Sequence, residues 1–175
     1  MTGVFDDPRE FAANIATNQP LMALDLGDKT IGIAVSDRIW CAASPRESIR
    51  RKKGSFARIV ERLADIVAES GCVGVVVGLP KNMDGSEGPR CQSARAIADN
   101  VCAGLAIPVL LWDERLSTIA AERVLLEADL SRKRRKEVVD SVAAAYILQG
   151  VLARLRNLKE LPDDQRPIIG NLEKG

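Results

Sequence analysis

At 175 residues, with 46% apolar and 28% charged side chains, the chain has the size and composition of one soluble globular domain with a substantial core. Its net charge is +1, so attraction to a polyanion has to come from local clusters and not from the field of the whole surface. Histidine is absent from the sequence, which excludes Ser-His-Asp and Cys-His nucleophiles, HExxH metal sites and an imidazole general base. Carboxylate, Lys, Tyr, Cys or Ser chemistry remains.

Residues 1 to 20, acidic at Asp6, Asp7 and Glu10 and ending at Pro20, suggest a short tail or a loosely attached helix without a signal-peptide apolar stretch. Leu21 to Leu26 is apolar except at Asp25, Gly27 to Thr30 has turn chemistry, and Ile31 to Ser36 is apolar again, predicting a strand, a tight turn and a second strand. Residues 39 to 44 predict a third short strand that stops before Pro45, followed by a charged loop at Arg50 to Gly54. Ile59, Leu63, Ile66 and Val67 have helical spacing, and that helix stops at Gly71. Val73 to Pro80 reads as a buried strand of the parallel kind, and Lys81 to Pro89 as a loop that could cover a substrate. Cys91, Ala94, Ala98, Val101 and Leu105 stripe the next helix, and Val109 to Trp112 forms the last strand. Ser117 or Thr118 can cap a helix through Asp129, and a long final helix runs from near Glu137 to Leu158. The remainder, punctuated by Pro162, Pro167 and Gly170, reads as a second tail. The expected architecture is therefore α/β, with a mixed five-stranded sheet, an antiparallel meander joined to parallel strands and flanked by helices. The expected domain covers 21–158, between tails at 1–20 and 159–175.

Cys41, Cys72, Cys91 and Cys102 make no CxxC pair or zinc-like spacing and read as reduced thiols, with Cys91 and Cys102 serving as small apolar residues on a helix. No segment approaches 18 consecutive apolar residues. The expectation is a cytoplasmic protein with no membrane partner.

Acids stand at three places in the chain where acids are costly. Asp25 interrupts a strand of Leu, Met and Ala, and burying its charge costs several kcal/mol unless something neutralises it. A bond to the Gly27 turn would explain Asp25 taken singly. Asp113 and Glu114 follow Val109 to Trp112, at the carboxyl end of a buried strand where open α/β sheets bind ligands. Adjacent residues of an extended chain point to opposite faces, so one of the two joins Asp25. Glu114, with the longer reach, is the first choice and Asp113 the second. Acids favouring the start of a following helix are the plain alternative. Asp140 lies on the same helix face as Ala143, Ala144, Ile147 and Val151. Taken together in a chain without His, the three are hard oxygen ligands of the kind that hold one or two Mg²⁺ or Mn²⁺ ions for phosphodiester hydrolysis.

Leu24-Asp25-Leu26-Gly27 with Lys29, Gly32 to Asp37, Val77-Gly78-Leu79-Pro80, Asn82 to Glu87, Asp113 to Thr118, and Val139-Asp140 with Ala143-Ala144 and Ile147-Leu148-Gln149 closely resemble the YqgF family. The resemblance spans residues 20 to 158 and implies an RNase H-like fold. It also implies one of two activities, maturation of the 5′ end of pre-16S ribosomal RNA or resolution of Holliday junctions. Asp25, the acid of the Asp113-Glu114-Arg115 motif and Asp140 become the implied metal-binding catalytic set, with Lys29 near the scissile phosphate.

Two basic runs supply the expected footprint for a structured nucleic acid, Arg50, Arg51, Lys52 and Lys53 with Arg46 nearby, and Arg132, Lys133, Arg134, Arg135 and Lys136. Such contacts position a duplex without reading its sequence, although a solvated charge run is the ordinary alternative. Aromatic residues make up only 3%, which argues against a stacking platform for single strands. The expected partners are pre-rRNA, in free or pre-ribosomal form, or branched DNA. Monomer and homodimer both remain open. Asp25 to Thr30 also resembles the first phosphate loop of actin-like ATPases and sugar kinases, but those need a second similar domain that 175 residues do not hold. A catalytically silent nucleic-acid-binding protein is the other rival, distinguished by binding without metal-dependent cleavage.

Overall fold

The computed structural model describes residues 1–116 and 132–160; for 132–138 and residue 160 it describes the backbone alone. Six strands form one sheet: β1 (Val4–Phe5), β2 (Met22–Leu26), β3 (Thr30–Ser36), β4 (Ala43–Arg50), β5 (Val75–Leu79) and β6 (Val109–Asp113), in the spatial order β1-β6-β5-β2-β3-β4. From β2 outward through β5 and β6 to β1 all pairings are parallel, and from β2 outward through β3 to β4 they are antiparallel. Helix α1 (Pro8–Ala13) follows β1, α2 (Phe56–Ser70) and α3 (Pro89–Leu105) flank β5, and α4 (Arg132–Glu160) closes the described chain. This is the expected mixed α/β sheet with six strands in place of five.

Strand alternation divides the core. Met22 and Leu24 of β2, Val75 and Val77 of β5, and Val109 and Leu111 of β6 pack with Ile59, Leu63 and Ile66 of α2 and Cys91, Ala94 and Ala98 of α3. Their neighbours Ala23, Val76, Leu110 and Trp112 face Ala143, Ala144, Ile147, Leu148, Val151 and Leu155 of α4. The helical spacing of those α4 residues lays one continuous apolar stripe along the sheet. Asp25, two residues beyond Ala23, belongs by the same alternation to the α4 face.

Two segments depart from the sequence reading. Residues 1 to 20 supply the sixth strand and α1, with Val4 and Phe5 paired to Val109 and Leu110, and Phe11 fully buried against the α4 side of the core. A two-residue strand shows no alternation, so nothing in the sequence announces it. The third strand begins later than expected and runs through Pro45 to Arg50. Pro45 is tolerated because β4 is an edge strand and its pairing with β3 shifts register there, from Glu47 opposite Ile33 to Pro45 opposite Ala34. Trp40, expected in that strand, lies in the preceding turn at φ 58° with its indole N–H donated to Gln19 O at 2.7 Å. The helix expected from Ser117 or Thr118 to Asp129 and the tail after Glu160 lie outside the described residues. Cys72 and Cys91 are buried, Cys102 is partly buried and Cys41 exposed, all as free thiols; burial pushes the Cys72 thiol up to about 11. Among the described residues, no helix is long and apolar enough to cross a membrane.

Candidate active site

Asp25 is 2% exposed near the end of β2, flanked on both neighbouring strands by glycine. Gly32 of β3 is its direct antiparallel partner. Gly78 of β5 is the residue after Val77, which pairs with Leu24. Glycine inside a strand weakens it and usually marks a close approach by another group. Both glycines do so here. A Cβ at Gly32 would stand 2.0 Å from the Asp140 carbonyl oxygen, so α4 crosses the sheet in backbone contact at this point. A Cβ at Gly78 would stand 2.5 Å from Glu114 Oε1 and 2.9 Å from Ile147 Cδ1, so the Glu114 side chain lies over β5 in the space a larger residue would fill. Two small residues thus admit two further carboxylates to the neighbourhood of Asp25, one from each side.

Asp140 is half-buried and fixed by its surroundings. Thr30, the first residue of β3, donates its hydroxyl to Asp140 Oδ2. Gly27 faces the other oxygen, with a notional Cβ 3.8 Å from Oδ1. The turn beneath is closed by Gly27 N–H on Thr30 O at 2.8 Å and by Arg51 Nη1 on Gly27 O at 2.7 Å.

Asp113 and Glu114 are separated as strand geometry requires. Asp113 pairs in register with Leu79, on the α2 and α3 face, and is gripped by Arg115: Nη2 lies 2.7 Å from Oδ2, Nε 3.1 Å from both oxygens, and the Arg115 N–H 2.9 Å from Oδ1. The guanidinium holds the Asp113 carboxyl below the usual carboxylate range. Arg115 also donates to Met83 O at 3.4 Å, tying the loop at 80–88 to the end of β6. Within that loop Asp84 accepts from the Ser86 N–H and hydroxyl, which lowers its carboxyl. The loop's far end is held by Arg95, whose guanidinium reaches Glu87 at 2.7 Å and Asp6 at 3.0 Å.

The structure therefore brings Asp25, Glu114 and Asp140 to one face at one end of the sheet and turns Asp113 to the other. Among the described residues, no three Asp, Glu or Cys side chains already converge on a single point at metal-ligand distance. The donor set nonetheless suits a hard divalent ion, being all oxygen, and the glycine cradle supplies the room. Of the basic residues, Lys29, Arg50, Lys52 and Lys53 are exposed, whereas Arg51 is committed to the Gly27 carbonyl. Arg132 to Lys136 occupy the first turns of α4, ahead of Asp140, with side chains outside the description. Sequence reading did not single out Thr30, Gly32, Gly78 or Arg51 as shaping the site. The signal available for two of them was the interior-strand glycine.

A sheet antiparallel on one side of its Asp-bearing strand and parallel on the other, crossed by a helix with a second Asp, defines an RNase H-like α/β protein. Two solved structures share this fold. RuvC from Thermus thermophilus bound to a Holliday junction substrate superposes with TM-score 0.53 at 16% identity, over 79% of this chain and 96% of that one. A second Thermus thermophilus RuvC structure gives 0.51 at 13% identity, over 79% and 97%. At these identities the likeness concerns the fold alone. Closer relatives are found by sequence. A protein of Roseobacter denitrificans is 54% identical over 164 residues, 93% of this chain and 99% of that protein. One from Ruegeria pomeroyi is 60% identical over 149 residues, 85% and 96% of the two chains. Both carry the name "Putative pre-16S rRNA nuclease". The family RuvX, described as Holliday junction resolvase, matches residues 19–154. The chain belongs to the RuvX (YqgF) family, and is a nuclease of RNase H-like fold.

Proposed function

We propose that this chain is a divalent-metal-dependent nuclease that hydrolyses phosphodiester bonds in the 5′-end maturation of pre-16S rRNA, working in the cytoplasm on precursor RNA, free or within pre-ribosomal particles. The observation that carries the reading is the pair of glycines beside Asp25, which make room for Glu114 and Asp140 at the expense of strand packing. The RNA substrate is supported by the names of relatives that match over most of the chain.

In this reading Asp25, Glu114 and Asp140 are the ligands of Mg²⁺ or Mn²⁺. Asp113, the second choice at the end of β6, is withdrawn by Arg115. When bound, such ions activate the attacking water and stabilise the leaving oxygen of an in-line displacement. The protein's own contribution is to hold the oxygens. Asp25 is fixed by its strand, Asp140 by the Thr30 hydroxyl and the backbone crossing at Gly32, and Glu114 by the short helical turn Glu114–Leu116 and the space above Gly78. Lys29, exposed in the turn that follows Asp25, would face the scissile phosphate, and Arg50, Lys52, Lys53 and the run Arg132 to Lys136 would grip flanking phosphates without reading bases. Arg51 serves the site from behind, by bracing the Gly27 carbonyl.

A four-way DNA junction is the second substrate, favoured by the description of the family that matches residues 19–154. It requires two active sites related by symmetry, hence a homodimer in place of a monomer. The test compares, at equal ionic strength with Mn²⁺, trimming of a 16S precursor leader against resolution of a synthetic junction. Asp25→Asn, Glu114→Gln and Asp140→Asn serve as matched variants. Each variant is expected to stay folded and lose nearly all cleavage, with the leader cut faster than the junction. Full activity of Asp140→Asn overturns the ligand set; paired symmetric nicks outpacing RNA trimming overturn the substrate.

A further inference from the structure

Arg90, the second residue of α3, places Nη2 2.8 Å from Oδ1 of Asp28 in the β2–β3 turn, with 69% and 82% of the two side chains exposed. An ion pair this open to water adds little to stability, so its place in the fold is more telling than its strength. It bridges the turn that follows Asp25 and the helix that follows the 80–88 loop, at the end of the sheet where the acids gather. Glu114 and Asp25 both act on the Arg90 charge, after Asp28 itself, and Asp28 in turn feels Arg51 and Lys29. The guanidinium therefore stands within electrostatic reach of two of the three proposed ligands. Its hold on Asp28 is single, one Nη2 contact to one oxygen. A phosphate accepts two parallel N–H bonds from a guanidinium fork and is the better partner.

We infer that Arg90 grips the substrate phosphate next to the scissile bond, and that Asp28 is a positioning residue, a built-in anion that parks the guanidinium at the mouth of the site until a phosphate displaces it. The inference rests on the nuclease reading and adds to it a specific contact and a competitor within the chain. Two consequences separate this arrangement from a plain brace. Breaking a brace from either end has one effect, whereas losing a grip and losing its competitor have opposite effects. A competitor also acts only through the residue it competes for.

The experiment measures binding of a fluorescent hairpin RNA carrying the 16S precursor leader, by anisotropy with Mg²⁺ across a salt series. The background is Asp140→Asn, which stops cleavage while leaving Asp25 and Glu114 beside Arg90. Arg90→Gln should weaken binding about tenfold and lower the salt slope by roughly one unit, as for one lost phosphate contact. Arg90→Lys should recover the slope but only part of the affinity. Asp28→Asn should tighten binding severalfold, and this gain should vanish in the Asp28→Asn, Arg90→Gln double variant. In the chain with Asp140 intact, Arg90→Gln should raise KM more than it lowers kcat. Equal weakening by Arg90→Gln and Asp28→Asn, an unchanged slope in Arg90→Gln, or a gain from Asp28→Asn that persists without Arg90 each overturns the inference. Failure of the nuclease reading shows separately, as Asp25→Asn protein that still cuts.

Discussion

The glycine beside the Glu114 carboxylate offers the sharpest separation of activity from stability. In Gly78→Ala the new methyl carbon would stand 2.5 Å from Glu114 Oε1 and 2.9 Å from Ile147 Cδ1, against about 3.5–4.0 Å for ordinary contact. Both neighbours are side-chain tips, so each can withdraw by about 1 Å without moving backbone. The overpacking cost falls at the low end of about 1–3 kcal/mol, and alanine recovers about 0.5–1 kcal/mol by restricting the unfolded chain. The net loss, about 0.5 kcal/mol or less, shifts Tm by no more than about 2 °C in a domain of this size. The carboxylate is the group displaced, and misplacing a reacting group by about 1 Å costs about 10²-fold in rate, equivalent to about 2.7 kcal/mol in the barrier. Gly32→Ala provides the contrast. Its methyl would meet the Asp140 carbonyl oxygen and carbon at 2.0 and 2.1 Å, atoms that move only if α4 and its apolar stripe move too. Its loss should exceed the upper end of about 3 kcal/mol for overpacking and carry Tm down by more than about 6 °C. Thermal unfolding paired with single-turnover cleavage in Mn²⁺ distinguishes the two. A Gly78→Ala chain that cuts at the wild-type rate, or one whose rate falls only in step with its unfolding, would refute the role given to Glu114.

Arg115→Ala should free both Asp113 and the 80–88 loop, and hydrogen exchange at residues 82–86 should rise. Because Arg115 lowers the Asp113 carboxyl in the folded state, the pair's contribution is present above the unfolded value, about pH 4, and lost as pH falls through the folded one. The Tm gap between Arg115→Ala and wild type should therefore be widest near pH 7 and shrink towards pH 2; a gap that is constant with pH contradicts the pairing. Neutralising Arg134 and Arg135 together should lower the salt slope of RNA binding by roughly two units and weaken unrelated sequences alike; an unchanged slope returns that run to a solvated surface. Phe11→Ala, at a fully buried position, should cost about 3–5 kcal/mol, measured by urea unfolding; a loss below about 1 kcal/mol would make residues 1 to 20 an appendage of the fold.

Asp25 and Asp140 were legible in the sequence because a charge inside an apolar period is expensive, and the expense needs a reason whichever fold the chain adopts. The choice of Glu114 over Asp113 was half legible: alternation separates the two, but the capture of Asp113 by Arg115 depends on how the chain bends into its short helical turn after β6. Contacts between distant segments were not legible. Asp28 and Arg90 lie 62 positions apart, and Asp6 and Arg95 89 apart, and no periodicity relates them. Arg51 was hidden differently, since a residue in a basic run reads as surface charge and its inward bond to the Gly27 carbonyl leaves no trace in composition. The glycines lie between these extremes. A turn closed by Gly27 N–H on Thr30 O sets Asp25 opposite Gly32, so the hairpin register follows from where the turn is placed. A strand glycine directly opposite a buried acid then implies that something approaches there. What approaches is settled only by the path of α4, whose backbone crosses at Asp140 because Gly32 leaves no side chain to keep it away.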